Sequence, residues 1–100
     1  MSTNKYSFTW SMLENVINSI PSNPNRGYTI SELANIACNI YPNLKTMKNG
    51  GIEQVRGEIS SYCSAHLPKT RQKFFAIRNM VEKKQLNKKT NRMAKHFYFN

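Results

Sequence analysis

Residues 68–100 read PKTRQKFFAIRNMVEKKQLNKKTNRMAKHFYFN, and how this stretch folds decides the architecture of the chain. It carries Lys69, Arg71, Lys73, Arg78, Lys83, Lys84, Lys88, Lys89, Arg92 and Lys95 against the single acid Glu82, nine of the formal net charges of a chain that totals +10. The remainder is nearly neutral. A fold does not need such a one-ended distribution, whereas a surface that meets a polyanion does, because Lys and Arg near phosphates release condensed counterions.

Two patterns follow each other here. Over 70–86 there is no Gly or Pro, and Phe74, Ile77, Met80 and Val81 recur at i, i+3, i+6 and i+7. This periodicity predicts a helix with one apolar stripe, Thr70 as its N-cap, and Arg71, Gln72, Arg78, Asn79 and Lys83 turned away from the core. Beyond it, 86–89 and 95–99 flank a tip over 90–94 that opens on the polar Thr90, Asn91 and Arg92, and the second segment is rich in aromatics of high strand propensity. That pattern predicts a β-hairpin with a basic tip.

A basic helix followed by a basic hairpin closing on Phe97-Tyr98-Phe99 resembles the recognition helix and wing of winged helix-turn-helix DNA-binding domains. Where many members of that family have a Gly to leave the helix, this chain has Gln85. The resemblance implies a mainly α fold of three to four helices with a C-terminal β-hairpin, a helix in the major groove, and a wing on the flanking backbone or in the minor groove. It further implies a role in regulation, such as that of transcription.

Working outward, Trp10, Leu13, Val16, Ile17 and Ile20 predict a first helix over 8–20, capped by Ser7 or Thr9 and ended by Pro21. Trp10 reads as a core-edge residue in preference to a stacking platform. Residues 22–27 form a loop, and 27–29 add a short strand. Thr29 or Ser31 then caps a helix over 30–41, with Leu33, Ile36, Ala37 and Ile40 inward and Pro42 as its stop. The run GYTISELANIA resembles the first helix of many helix-turn-helix folds.

After a loop over 43–51, Ile52, Val55, Ile59, Tyr62, Cys63 and His66 mark the buried side of a helix over 52–66. Its other side holds Gln54, Arg56, Gly57, Ser60, Ser61 and Ser64. The run VRGEISSY is similar to the groove-binding segment of forkhead-like winged helices, so this helix, through Arg56 and Ser60, is the rival reader. Glu53 and Glu58 sit where they would repel phosphate, and the sequence therefore favours the later helix.

One hundred residues with 39% apolar and 20% charged side chains suit one folded domain over 8–100, preceded by a flexible arm over 1–7. No run approaches the roughly 20 apolar residues of a membrane span and the start is not a signal peptide, so the expected location is intracellular, in cytoplasm, nucleoid or nucleus. Cys38 and Cys63 read as reduced core thiols. With His66 and His96 they are four potential zinc ligands, but not in two close pairs, so no metal is assigned. The five carboxylates are scattered, there is no Asp, and no Gly-rich phosphate loop occurs, so the chain reads as a non-enzyme without cofactor.

The expected function is double-stranded DNA binding by a monomer. Arg71, Gln72, Arg78 and Asn79 are the candidates for base readout, with Lys69, Lys73 and Lys83 as further contacts on the same helix. Lys88, Lys89, Arg92 and Lys95 are expected to hold phosphates. Two alternatives use the same charge: a structured-RNA binder, or a module that docks on an acidic protein surface and regulates or inhibits an enzyme.

Overall fold

The computed structural model describes residues 8–46 and 51–100; the expected arm over 1–7 and part of the 43–51 loop lie outside them. Among the described residues there are four α-helices, a 3-10 helix over Pro42–Thr46, and one three-stranded antiparallel sheet. In chain order these are α1 (Trp10–Ser19), β1 (Gly27–Tyr28), α2 (Ile30–Ile40), α3 (Ile52–Tyr62), α4 (Pro68–Ala76), β2 (Met80–Asn87) and β3 (Arg92–Phe99). None of the described helices is long and apolar enough to cross a membrane.

The first two helices start on side-chain caps. Thr9 accepts the Met12 N–H at 3.3 Å, and α1 gives way at Ile20 to extended backbone ahead of Pro21. At α2 a reciprocal pair forms: the Glu32 N–H donates to Thr29 Oγ1 at 3.2 Å while the Thr29 N–H donates to Glu32 Oε1 at 3.0 Å. Arg26 adds an ion pair to the same carboxylate at 2.8 Å. Burial, the largest single influence, pushes the Glu32 carboxyl upward, but the hydrogen bonds from Arg26 and Thr29 and the Arg26 charge outweigh it and leave the group lowered.

Gly51 starts α3 with φ at +52°, and a Cβ there would fall 2.7 Å from the Lys45 carbonyl oxygen, so only glycine fits. The helix stops at Tyr62, four residues short of expectation, and leaves His66 exposed in the following turn.

The larger departure is at 70–86. The helix there begins at Pro68 and ends at Ala76, and from Met80 the chain is strand. All eight residues of β2 pair with β3, from Met80 opposite Phe99 to Asn87 opposite Arg92. Helical periodicity over 74–81 is a local signal, and the non-local pairing with the aromatic strand overrides it. The hairpin is thus present and longer than expected. Its turn over 88–91 is closed by the Asn91 N–H donating to Asn87 O at 2.7 Å, with Asn91 at φ +57°.

β1 joins the other edge of β3, pairing Gly27 with Tyr98 and Tyr28 with Phe97. The Tyr98 ring lies over Gly27, where a Cβ would sit 2.7 Å from Tyr98 Cζ, so a side chain at Gly27 would displace the ring.

Leu13, Ile17, Leu33, Val55, Ile59 and Phe74 are fully buried as expected, joined by Phe97 and Phe99 from the sheet and Leu44 from the 3-10 helix. Trp10, Ile36 and Ile77 pack at the core margin, with Trp10 edge-on to Tyr62 at 5.2 Å. Ile40 and Val81, also expected inside, are 40% and 44% exposed. For Val81 the cause is the strand: alternation puts Met80 on the core face and Val81 on the other.

Candidate nucleic-acid interface

On α3 the buried Val55 and Ile59 turn Glu53, Arg56, Gly57 and Ser60 outward at i, i+3, i+4 and i+7, one continuous exposed stripe. Across from it stands the outer half of the hairpin. Strand alternation places Phe97 and Phe99 in the core and continues the same face outward to Lys95 and Met93. The two walls and the first turn of α2, Thr29 to Ser31, enclose an open cleft of about 790 Å³ lined by Arg56, Gly57 and Ser60 on one side and by Arg92, Met93 and Lys95 on the other.

Charge in this cleft is unbalanced. Its lining holds Arg56, Arg92 and Lys95 against the single acid Glu53. Three ion pairs occur among the described residues, through Arg26, Arg56 and Arg71, and none involves Arg92 or Lys95 in the cleft or Lys84, Lys88 and Lys89 elsewhere on the hairpin. Lys84 and Lys95 lie directly opposite each other in the β2–β3 ladder, a like-charge juxtaposition that destabilises a sheet. The tip is nevertheless firmly shaped: Asn87 Oδ1 accepts the Lys89 N–H at 3.0 Å and holds Lys88 and Lys89 outward.

Arg56 is bound by Glu53 through both carboxylate oxygens, at 2.9 and 3.0 Å. Side chains of the pair are 44% and 69% exposed, so water screens the attraction and the pair contributes about 0–1 kcal/mol. A ligand phosphate or guanine can therefore compete for the guanidinium. Glu53, which argued from sequence against α3, is thereby partly neutralised.

The residues expected to read bases from a basic helix do not share one. Arg71 is a brace: it donates to the Cys63 carbonyl at 2.7 Å and to Glu82 at 3.1 Å, and it stacks over Phe75 at 4.6 Å. Arg78 is another, donating to the Ile17 and Ile20 carbonyls at 2.8 and 2.5 Å and to Ser22 Oγ at 2.8 Å. It lies in the link between α4 and β2 with Asn79, whose carbonyl accepts the Asn100 N–H at 3.1 Å. Gln72 stays exposed on α4 beside Lys69 and Lys73, so Gln72 and Asn79 do not form the common helical face that the spacing predicted. Lys83 points to the opposite sheet face, its ammonium 5.0 Å from the centre of the Tyr98 ring.

Of the expected residues, the fold brings together Arg56, Ser60, Arg92 and Lys95, with Lys88 and Lys89 at the adjoining tip. Thr29, Ser31 and Met93 join the cleft without having been foreseen; only the cap position of Thr29 and Ser31 marked them in sequence.

No described group of three His, Cys, Asp or Glu side chains is placed to hold a metal ion. Cys63 is buried with its thiol against the Ser60 carbonyl, at 3.6 Å, and burial pushes both its thiol and that of Cys38 up, away from the thiolate. His96 Nδ1 lies 3.0 Å from the Ala94 carbonyl oxygen.

Comparisons of this chain with protein-family models, with curated proteins and with solved structures find no match.

Proposed function

We propose that this protein is a winged helix-turn-helix domain that binds double-stranded DNA, with α3 in the major groove and the β2–β3 hairpin as a wing on the flanking phosphates. The observation that carries the reading is the convergence of the exposed α3 stripe with Arg92 and Lys95 of the hairpin on one open cleft, with Lys88 and Lys89 at the adjoining tip. The element order supports it: two helices joined by a short segment, a hairpin after them, and a short strand closing the sheet beside the hairpin. α4 is an added brace that ties the hairpin to α3 through Arg71.

Arg56 and Ser60 are the base-reading candidates. An arginine pairs with the N7 and O6 acceptors of guanine, and a serine hydroxyl serves either a donor or an acceptor. Lys84, Lys88, Lys89, Arg92 and Lys95 supply position and affinity without sequence preference. Duplex DNA fits better than RNA because the B-form major groove admits a helix and the A-form one does not. A regulatory role, such as in transcription, is part of this proposal.

The test is binding to duplex DNA, single-stranded DNA and RNA, each across a salt series. If the five hairpin cations each neutralise one phosphate, log K against log salt has a slope of about −4.5, and affinity for the duplex falls roughly 500-fold between 50 and 200 mM salt. Absence of duplex binding at low salt rejects the reading and favours an acidic protein surface as the partner, which a pull-down then identifies.

A further inference from the structure

Gly57 lies in the interior of α3 on the exposed stripe that walls the cleft, between Arg56 and Ser60. Its backbone is not in the left-handed region; of the described glycines only Gly51 has a positive φ. Among the described residues nothing lies within 4 Å of the point where a Cβ would stand. Neither a turn nor close packing within the molecule therefore calls for a glycine, and glycine here lowers the folding equilibrium constant roughly fivefold relative to alanine. Gly27 and Gly51 differ in this respect, because each has an atom 2.7 Å from such a Cβ. The space that Gly57 leaves empty opens on the cleft, opposite the wall formed by Arg92, Met93 and Lys95.

We infer that Gly57 is a specificity-determining residue of α3, a bare patch of backbone that lets the edge of a base pair approach the helix more closely than any side chain would permit. The inference rests on the duplex-binding reading and adds to it the point of closest approach. Arg56 and Ser60, one residue before and three after, flank that point on the same face and give the approaching base pair polar partners.

The experiment compares wild type with Gly57→Ala and Gly57→Leu. Thermal unfolding is measured beside binding to two probes: a random-sequence duplex pool, and a duplex selected from that pool by the wild-type protein. Both variants should melt higher than wild type, Gly57→Ala by roughly 4–8 °C. Affinity for the selected duplex should fall several-fold for Ala and at least about tenfold for Leu, while the salt slope stays at the wild-type value because no phosphate contact is lost. Higher melting with unchanged discrimination between selected duplex and pool overturns the inference and leaves duplex binding intact. A lower melting temperature for Gly57→Ala overturns it as well, since the fold would then require the glycine. Failure of the wild type to bind either probe is the separate outcome in which the duplex reading itself falls and takes the inference with it.

Discussion

Arg78→Ala separates a fold clamp from a DNA reader. Its guanidinium gathers the Ile17 and Ile20 carbonyls at the end of α1, Ser22 Oγ, and the Asn100 carbonyl at 3.4 Å, and it lies 5.4 Å from the centre of the Phe99 ring. Hydrogen bonds to a charged donor are each worth about 1.5–3 kcal/mol where they are shielded from water, and a cation at a helix C-terminus adds about 0.3–1 kcal/mol. The Ile17 and Ile20 carbonyls are part-buried and the other two acceptors are exposed, and water replaces some of what is lost. The net cost is therefore about 3 kcal/mol, and for a domain of this size the melting temperature drops by roughly 12–24 °C. Thermal unfolding followed by circular dichroism reads it. Arg78→Lys should recover less than half, because an ammonium does not reproduce the planar fork. Duplex affinity, measured where the variant is still folded, should stay within about twofold of wild type. An unchanged melting temperature with lost DNA binding would refute the clamp and restore Arg78 to the reading surface.

Two further outcomes follow from the geometry. The folded Glu32 carboxyl is held below its ordinary value, so its contribution to stability is complete above the unfolded-chain value of about 4.3 and is lost as pH falls through the folded one; Glu32→Gln should be less stable than wild type at neutral pH, and urea unfolding should show the gap narrowing in acid. Replacing Lys88, Lys89, Arg92 and Lys95 together with Ala should weaken duplex binding for every sequence and bring the salt slope from about −4.5 to about −1, with an unchanged slope moving the phosphate contacts elsewhere.

Both early helices were legible because their signals are local. Thr9 and Thr29 are cap residues that need no tertiary partner, and Pro21 and Pro42 lie just beyond the helix ends. The hairpin was legible in its aromatic strand. Its first strand was not, since Met80 and Val81 continue a helical spacing from Phe74 and no Gly or Pro interrupts it. What ends that helix is pairing with residues up to nineteen positions away and the reach of Arg78 to carbonyls about 60 residues back, neither of which leaves a local mark. The error in the site has the same origin. Arg71 and Arg78 have the composition of phosphate-gripping residues, and only the folded chain shows Glu82, Cys63 and the end of α1 occupying them. Gln85, which stood where a turn glycine was expected, is in the middle of β2 and accepts the Tyr98 hydroxyl, so no turn is required there. Conversely, Glu53 and Glu58 count against α3 in the sequence, yet the pairing of Glu53 with Arg56 is available there as an i, i+3 spacing on one helical face.

On the proposed reading, DNA meets the cleft between α3 and the hairpin. Backbone amide chemical shifts recorded while a short duplex is titrated into the protein at low salt test it most directly. The largest shifts should fall on Arg56, Gly57 and Ser60 and on Lys88, Lys89, Arg92 and Lys95, with smaller ones at Thr29 and Ser31 on the cleft floor. Shifts confined to Lys69, Gln72 and Lys73 on α4, with α3 unmoved, would contradict it.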